Sequence, residues 1–413
     1  MELIQKLMIY VVWFISTYFV ILFILLVLKY RNQLFEKKPQ IKSNFPLVSV
    51  IVPAYNEEEN IISTLKSLKK IDYPKLEFII INDGSKDQTS KKITEYLKKG
   101  SKNIRFIDNF KNQGKSAVLN QGIKISKGEF VVCMDADTVV LPNVLKRTLP
   151  EFSHEKVGAV TVSIDLKPKN LLQKITEIEY AVGLSLSIGI LCKLDSAHVT
   201  PGPFTVFRKS MFDEIGGFDE KNITEDSEIA YRMQKYGYKI RCCLTTKVYT
   251  EVPRNFKGLY KQRRRWYTGA LQTLSKHRDI IFNKKLGIFG YFIPLNYAVV
   301  LLGVIVFILS SILSINNLIK DISFYRLIDF NFLQILKQVE IDLLSFFSLF
   351  GLLILTSFIL TAVLAFVGLR IINKDIKKRL IGYIGFLPFF ILYQVFWISS
   401  IFNFIFKREF EWK

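Results

Sequence analysis

Cysteine and histidine are scarce in this chain, four and three residues of 413. The cysteines (Cys133, Cys192, Cys242, Cys243) show no Cys-x-x-Cys spacing, and His154, His198 and His277 lie far apart. That pattern excludes a structural zinc site of ordinary ligand spacing and implies reduced, mostly buried thiols. Internal repeats and low-complexity tracts are also absent. Charge is missing from four long stretches, Met8–Leu28, Leu286–Ile319, Leu343–Leu369 and Leu380–Phe406. Each is long enough to cross a bilayer, which takes about 20 apolar residues. No small-residue cleavage site follows the first stretch, so it reads as a retained anchor rather than a cleaved signal. Charges within such stretches would mark a transport pathway, and their absence argues against a transporter.

Hydrophobic residues make up 50% of the chain, with 35 phenylalanines. The net charge is +21. The excess lies where cytoplasmic flanks belong. Lys29, Arg31, Lys37, Lys38 and Lys42 follow the first stretch, and Lys276, Arg278, Lys284 and Lys285 precede the second. Arg370, Lys374, Lys377, Lys378 and Arg379 separate the third and fourth, whereas the Lys320–Asp342 loop is mixed in sign. The positive-inside pattern therefore predicts a multi-pass protein of the cell membrane with residues 31–285 cytosolic and both termini outside. It explains the charge better than a nucleic-acid partner does. The expected organisation is an anchor at 1–30, a cytosolic domain at 31–252, interfacial helices at 253–285 and a three-helix membrane region at 286–413.

The cytosolic part alternates apolar runs with helical stretches. Val48–Val52, Leu76–Ile81, Ile104–Ile107 and Phe130–Met134 read as strands. Glu57–Lys70, Gln88–Lys98 and Ser116–Ile125 read as helices. Near-continuous apolar strands separated by helices imply an α/β fold with a mostly parallel sheet covered on both faces. Ligands of such sheets bind at the carboxyl ends of the strands. Asn56, Asp83, Asn109, Asp135 and Asp137 all fall at or just past those ends. Two further stretches, Asn170–Ser187 and Phe256–Leu274, are amphipathic and suit the membrane surface beside the spans, or a protein core.

Asp135-Ala136-Asp137 stands where an apolar strand ends. Carboxylates at i and i+2 there can hold one hard divalent cation, which would offset their desolvation. Asp83 can accept from a nucleobase or ribose, or cap the helix that follows; taken alone, capping is the commoner role. Lys115 opens a helix whose N–H groups suit a phosphate. In Thr224-Glu225-Asp226, before a helix over Ile229–Tyr236, the carboxylates suit the helix dipole. Asp226 can also act as a general base, deprotonating a hydroxyl that attacks an anomeric carbon. In Gln262-Arg263-Arg264-Arg265-Trp266, positions 262, 265 and 266 share one helix face. Arg265 can clamp a diphosphate and Trp266 can stack on a sugar. Arg263 and Arg264 read as plain topology signals.

Together with Val50–Glu57, Asn82–Ser85 and Asn112–Lys115, these motifs stand in the order seen in family 2 glycosyltransferases, which the segment from about Pro46 to Leu274 resembles. The last three motifs resemble those of processive membrane synthases of cellulose, hyaluronan and poly-N-acetylglucosamine. The resemblance implies a GT-A nucleotide-binding domain that inverts the anomeric carbon of a nucleotide-sugar, a UDP-sugar above all. By position, Ala54, Tyr55, Glu57 and Asp83 would line the nucleotide pocket. Lys115, Asp135, Gln262 and Arg265 would meet the donor diphosphate. Asp137, with Asp135, would hold Mg2+ or Mn2+. Asp226, with Glu225 beside it, would supply the base. Trp266 and Gly202, in the Thr200–Pro203 loop, would face the acceptor, although that loop departs from the usual small-residue version. The acceptor would be a growing polysaccharide or, alternatively, a lipid-linked acceptor receiving a single sugar. Three C-terminal spans are few for a channel, which leaves room for a homo-oligomer or an accessory subunit.

Overall fold

The computed structural model describes residues 2–36, 45–98, 100, 103–327, 329, 349–371, 374–389 and 392–406. Lys37, Lys38 and Lys42, the mixed loop from residue 330 onward and the first six residues of the third apolar stretch lie outside the described residues.

A long helix, α1 (Glu2–Leu34), leads into the sheet domain. The four expected strands form β1 (Val48–Ala54), β2 (Leu76–Asp83), β3 (Ile104–Asn109) and β4 (Phe130–Cys133). β1 pairs in parallel with β2 and β4, and β2 with β3. Between them run α2 (Ile61–Leu68), α3 (Thr89–Lys98) and α4 (Lys115–Ile125). Both faces of β1 are buried. Val48, Val50, Val52 and Ala54 pack with Ile61, Leu65 and Leu68 of α2, while Ile51 packs with Val118, Leu119 and Ile123 of α4. Gly122 permits that approach, since an added Cβ would meet Ile51 Cγ2 at 2.5 Å.

Four more strands complete the sheet: β5 (Val139–Val140), β6 (Val157–Leu166), β7 (Thr205–Arg208) and β8 (Lys239–Thr250). The order is β3-β2-β1-β4-β7-β6-β8-β5. β7 runs antiparallel to β4 and β6, β5 runs antiparallel to β8, and β6 and β8 are parallel. The expected α/β class with a mostly parallel sheet holds. The remaining helices of the domain are α5 (Val144–Thr148), α6 (Leu171–Tyr180), α7 (Ile188–Lys193), α8 (Met211–Ile215), α9 (Glu225–Lys235) and α10 (Phe256–Lys276). They are followed by α11 (Ile288–Leu327), α12 (Leu349–Ile371), α13 (Leu380–Phe389) and α14 (Leu392–Ile405).

Leu7–Leu34, Ile288–Leu327 and Gly351–Arg370 are long and apolar enough to cross a membrane. Leu171–Lys193 meets the same length and composition, but 72% of its most apolar window is buried inside the protein. The Leu380–Phe406 stretch, expected as one span, is broken: α13 and α14 meet at a bend of 52°, and the pair together is long and apolar enough to cross a membrane. Pro388, which lacks the N–H of an interior helical residue, lies beside the break.

The two amphipathic stretches sit between the sheet domain and the apolar helices. Ile175 and Ile178 of α6 share a cluster with Val27 and Leu34 of α1, Ala365 and Leu369 of α12, and Phe386 and Phe389 of α13. Along α10, the Tyr267 ring stacks on Trp397 of α14 at 4.4 Å, and Thr268 Oγ1 donates to the Ser400 carbonyl at 3.4 Å. The side chain of Asn170 ties the two helices together. Its Oδ1 accepts from Gln173 N at the start of α6, while its Nδ2 donates to the Arg254 carbonyl just before α10. All four cysteines are free thiols, as expected, and three of them are buried.

Candidate active site

The carboxyl ends of β1, β2 and β4 face one edge, where the sequence places its polar residues. Ala54 closes β1 and is buried, with half-buried Tyr55 and Glu57 just beyond it. Asn56, at φ 54°, turns the chain, and its N–H donates to Ser85 Oγ while its Oδ1 accepts from Lys86 N. The loops after β1 and β2 are thereby joined. Asp83 is buried, and its carboxylate accepts from Gln113 N at 2.9 Å and Gly114 N at 3.0 Å. The capping role therefore exists, but it serves the turn before α4, not the helix after β2. Gly84, at φ 66°, keeps the turn compact, because a Cβ there would meet Asn112 N at 2.7 Å.

Lys115, the first residue of α4, is the hub of the site. Its Nζ lies 2.6 Å from Asp135 Oδ1 and 2.8 Å from Glu225 Oε1. Burial alone would lower the Lys115 pKa, but the two carboxylates outweigh it and hold the ammonium charged. Gly202 faces this pair so closely that an added Cβ would lie 2.8 Å from Lys115 Nζ and 3.2 Å from Asp135 Oδ2. Helix α9 begins at Glu225, not at Ile229, which puts both carboxylates in its first turn. The Asp226 carbonyl accepts from Thr200 N at 3.1 Å and Thr200 Oγ1 at 3.0 Å, so the Thr200–Pro203 loop is tied to that turn. Burial, and then the Glu225 charge, push the Asp226 carboxyl up to about 7. Lys115, Asp135, Glu225, Asp226 and Gly202, drawn from four separate segments, thus converge.

Asp137 accepts from Thr250 Oγ1 of β8 at 3.1 Å. Burial, and then the neighbouring charges of Asp135 and Glu57, push its carboxyl up to about 7. Among the described residues no group of three or more His, Cys, Asp or Glu side chains is arranged to hold a metal ion. The donor set nonetheless fits a hard divalent cation. Mg2+ in particular binds through one or two carboxylates together with substrate phosphates. A cation there would relieve the repulsion that raises Asp137.

Helix α10 packs directly on the Thr224 turn. Gly269 makes this possible, since a Cβ there would sit 2.5 Å from Thr224 Oγ1. Asn222 Nδ2 donates to Thr273 Oγ1, and Ile223 N donates to Gln272 Oε1. This docking brings Arg265 close enough to Glu225 and Asp226 for its charge to lower both carboxyls. Trp266 packs against the core beside Tyr180, with ring centroids 6.3 Å apart. Gln262 accepts from Arg263 Nη1 at 2.7 Å.

Arg263 corrects the sequence reading. It is fully buried, paired with Glu179 at 2.7 Å and stacked over the Trp266 ring at 4.2 Å, and so is no topology signal. Sequence reasoning also missed Glu179, Tyr180, Thr250 and Gly269. Only Gly269 left a local signal, a glycine in an otherwise helical pattern three residues after Trp266.

Residues 49–216 match the profile of Glycosyl transferase family 2. This segment matches a family 2 glycosyltransferase domain. The chain is also 34% identical over 245 residues to the poly-beta-1,6-N-acetyl-D-glucosamine synthase of Staphylococcus epidermidis, covering 59% of each chain. It is 35% identical over 242 residues to that of Staphylococcus aureus strain COL, covering 58% of each. The match therefore spans under two thirds of these curated relatives. A mannosyltransferase from Pyrobaculum calidifontis, solved in complex with GDP-Man and Mn2+, shares the fold. It superposes with a TM-score of 0.61 at 17% identity, over 98% of this chain and 99% of its own. The resemblance drawn from the motifs, to family 2 enzymes and to the poly-N-acetylglucosamine synthases among them, is borne out. So is the GT-A type of fold combined with membrane-length helices.

Proposed function

We propose that the protein is an inverting glycosyltransferase that adds sugar from a nucleotide-sugar, a UDP-sugar first, to the end of a growing polysaccharide. The observation that carries this reading is the half-buried Asp226 carboxyl in the first turn of α9, beside Lys115 and Asp135, within a segment that matches family 2. An acid raised to about 7 is matched to proton transfer near neutral pH. In the displacement, Asp226 takes the proton of the acceptor hydroxyl. The hydroxyl oxygen forms a bond to the anomeric carbon, and the bond from that carbon to the diphosphate breaks on the opposite face. Inversion follows from that geometry.

Ala54, Tyr55, Glu57 and Asp83 surround the nucleotide. Lys115, Asp135, Gln262 and Arg265 hold the diphosphate, with Lys115 exchanging part of its carboxylate pairing for phosphate oxygens. Glu225 keeps Lys115 charged and in place. Asp137 and Asp135 would hold Mg2+ or Mn2+, which when bound neutralises the departing diphosphate. Trp266 and Gly202 border the acceptor. The relatives are named as poly-beta-1,6-N-acetyl-D-glucosamine synthases, which favours repeated addition over a single transfer. The active face is cytosolic, both termini lie outside, and the product leaves through the apolar helices, with a second copy or an accessory subunit completing the path.

The test is to incubate purified full-length protein with a panel of nucleotide-sugars and Mg2+ or Mn2+, then weigh the products by mass spectrometry. A ladder of added sugars is expected. A product that stops at one sugar on a lipid-linked acceptor overturns repeated addition. No transfer from any donor overturns the enzymatic reading.

A further inference from the structure

The Arg263 guanidinium is among the largest fully buried side chains of the protein, although it stands in a helix that flanks the proposed site. A buried charge gains little for stability. An ion pair replaced by apolar groups of similar volume usually leaves a protein as stable or more so. The placement of this one suggests another use. Nη1 donates to Gln262 Oε1 at 2.7 Å, and Nη2 donates to Glu179 Oε2 on α6 at 2.7 Å. The guanidinium plane lies 4.2 Å from the Trp266 ring centroid and 5.8 Å from that of Tyr180. One planar group therefore touches two of the residues assigned to substrate, and α6 anchors it. With its oxygen engaged, Gln262 presents N–H donors, which suit a phosphate oxygen.

We propose that Arg263 is a positioning residue, whose guanidinium, anchored on Glu179, fixes the Gln262 amide and the Trp266 indole toward the site. This rests on the functional reading above. A lysine keeps the charge but lacks the planar fork that reaches Gln262, Glu179 and the indole together. A displaced indole or amide is enough to slow transfer, because small misplacements of reacting groups lower rates steeply.

Two variants of the full-length protein test it: Arg263→Lys, and the double change Arg263→Met with Glu179→Met. UDP binding, thermal unfolding and transfer from the best donor are measured for each. The double variant is expected to unfold no earlier than the parent and to lose at most a few-fold in UDP affinity, because Lys115, Asp135 and Arg265 still hold the diphosphate. Its kcat is expected to fall by about 10-fold to 100-fold, the scale of a misplaced group. Arg263→Lys is expected to lose kcat likewise, with the donor KM little changed. A double variant with parental kcat overturns the proposal, as does a loss of kcat matched by an equal loss of UDP affinity. If Arg263→Lys does not fold, the double variant decides alone. A parent inactive with every donor overturns the functional reading instead, and this inference with it.

Discussion

Asp226 is held in a form that is costly to ionise, which burdens the fold and would suit the base role proposed for it. Its carboxyl is pushed up to about 7 by burial and by Glu225, while Lys115 and Arg265 pull the other way. For a carboxyl raised above its unfolded value, the folded state binds the extra proton. The stability that this carboxyl contributes is therefore greatest at acidic pH and declines as pH rises from the ordinary carboxylate range through about 7. With Asp226 as the proposed base, catalysis would run in the opposite sense, since only the ionised form accepts a proton. Transfer measured as kcat/KM should fall about tenfold per pH unit below that value and level off above it. Asp226→Asn separates the two effects. It should lower transfer by about 100-fold to 10,000-fold, the range of a lost acid–base group, while UDP affinity stays near that of the parent. At pH 8 the same variant should melt later than the parent, and the advantage should shrink at pH 5. Unchanged activity in Asp226→Asn would remove the base assignment.

At the scale of elements, α10 acts as a wall whose position depends on its contact with the Thr224 turn. Gly269→Ala would press a methyl to within 2.5 Å of Thr224, so the helix or the turn must shift. Such overpacking costs about 1–3 kcal/mol, which calorimetry or thermal unfolding would register. Transfer should drop further than stability alone explains, because Arg265 and Trp266 move with the helix. Gly183→Ala, with nothing within 4 Å of the added group, is the control and should leave transfer unchanged and stability no lower. Parental activity in Gly269→Ala would mean that this contact does not set the geometry. The elements also differ in how much their sequences disclose. β1, β2 and β4 are plain because burial on both faces demands apolar runs. β5 is two residues long, and β6 and β8 interrupt their apolar pattern with Asp165, Arg241 and Lys247. Those charges are answered from far along the chain, Arg241 by Asp195 and Asp165 by Lys247 and Lys374. No local window contains both partners. The same holds at the site. The positions of Asp83, Lys115, Asp135, Asp137 and Asp226 at strand ends and helix starts were legible, but the contact of Lys115 with Glu225 is a product of topology. Arg263 was misread because a basic residue before an apolar stretch looks alike in sequence whether it faces water or the core.

Across the whole molecule, the sheet domain is joined to the apolar helices by charge as well as by packing. Lys374, in the loop between α12 and α13, lies 3.0 Å from Asp165 of β6 and 2.7 Å from Glu177 of α6. Arg379 adds a contact to Glu177 at 3.1 Å. Asp165 and Glu177 are almost fully buried, so each needs a cation nearby. The basic loop thus has a use beyond orientation in the membrane: it fastens α6 to the helices that α6 rests on. The other end of that linkage is Glu179, two residues along α6, which holds Arg263 of α10. Removing the lysine while leaving its partners should therefore loosen the whole seam. Lys374→Met leaves Asp165 with Lys247 alone and Glu177 with Arg379 alone, so its cost should fall below the about 3–5 kcal/mol of a fully stranded buried charge. The full-length protein in detergent should unfold several degrees earlier. Adding Glu177→Gln removes the carboxylate left with Arg379 alone and should recover part of the loss, a rescue that simple removal of surface charge would not produce. If Lys374→Met melts with the parent, the carboxylates are satisfied without it, and the domain is held on its helices by the apolar contacts of α6 and α10 alone.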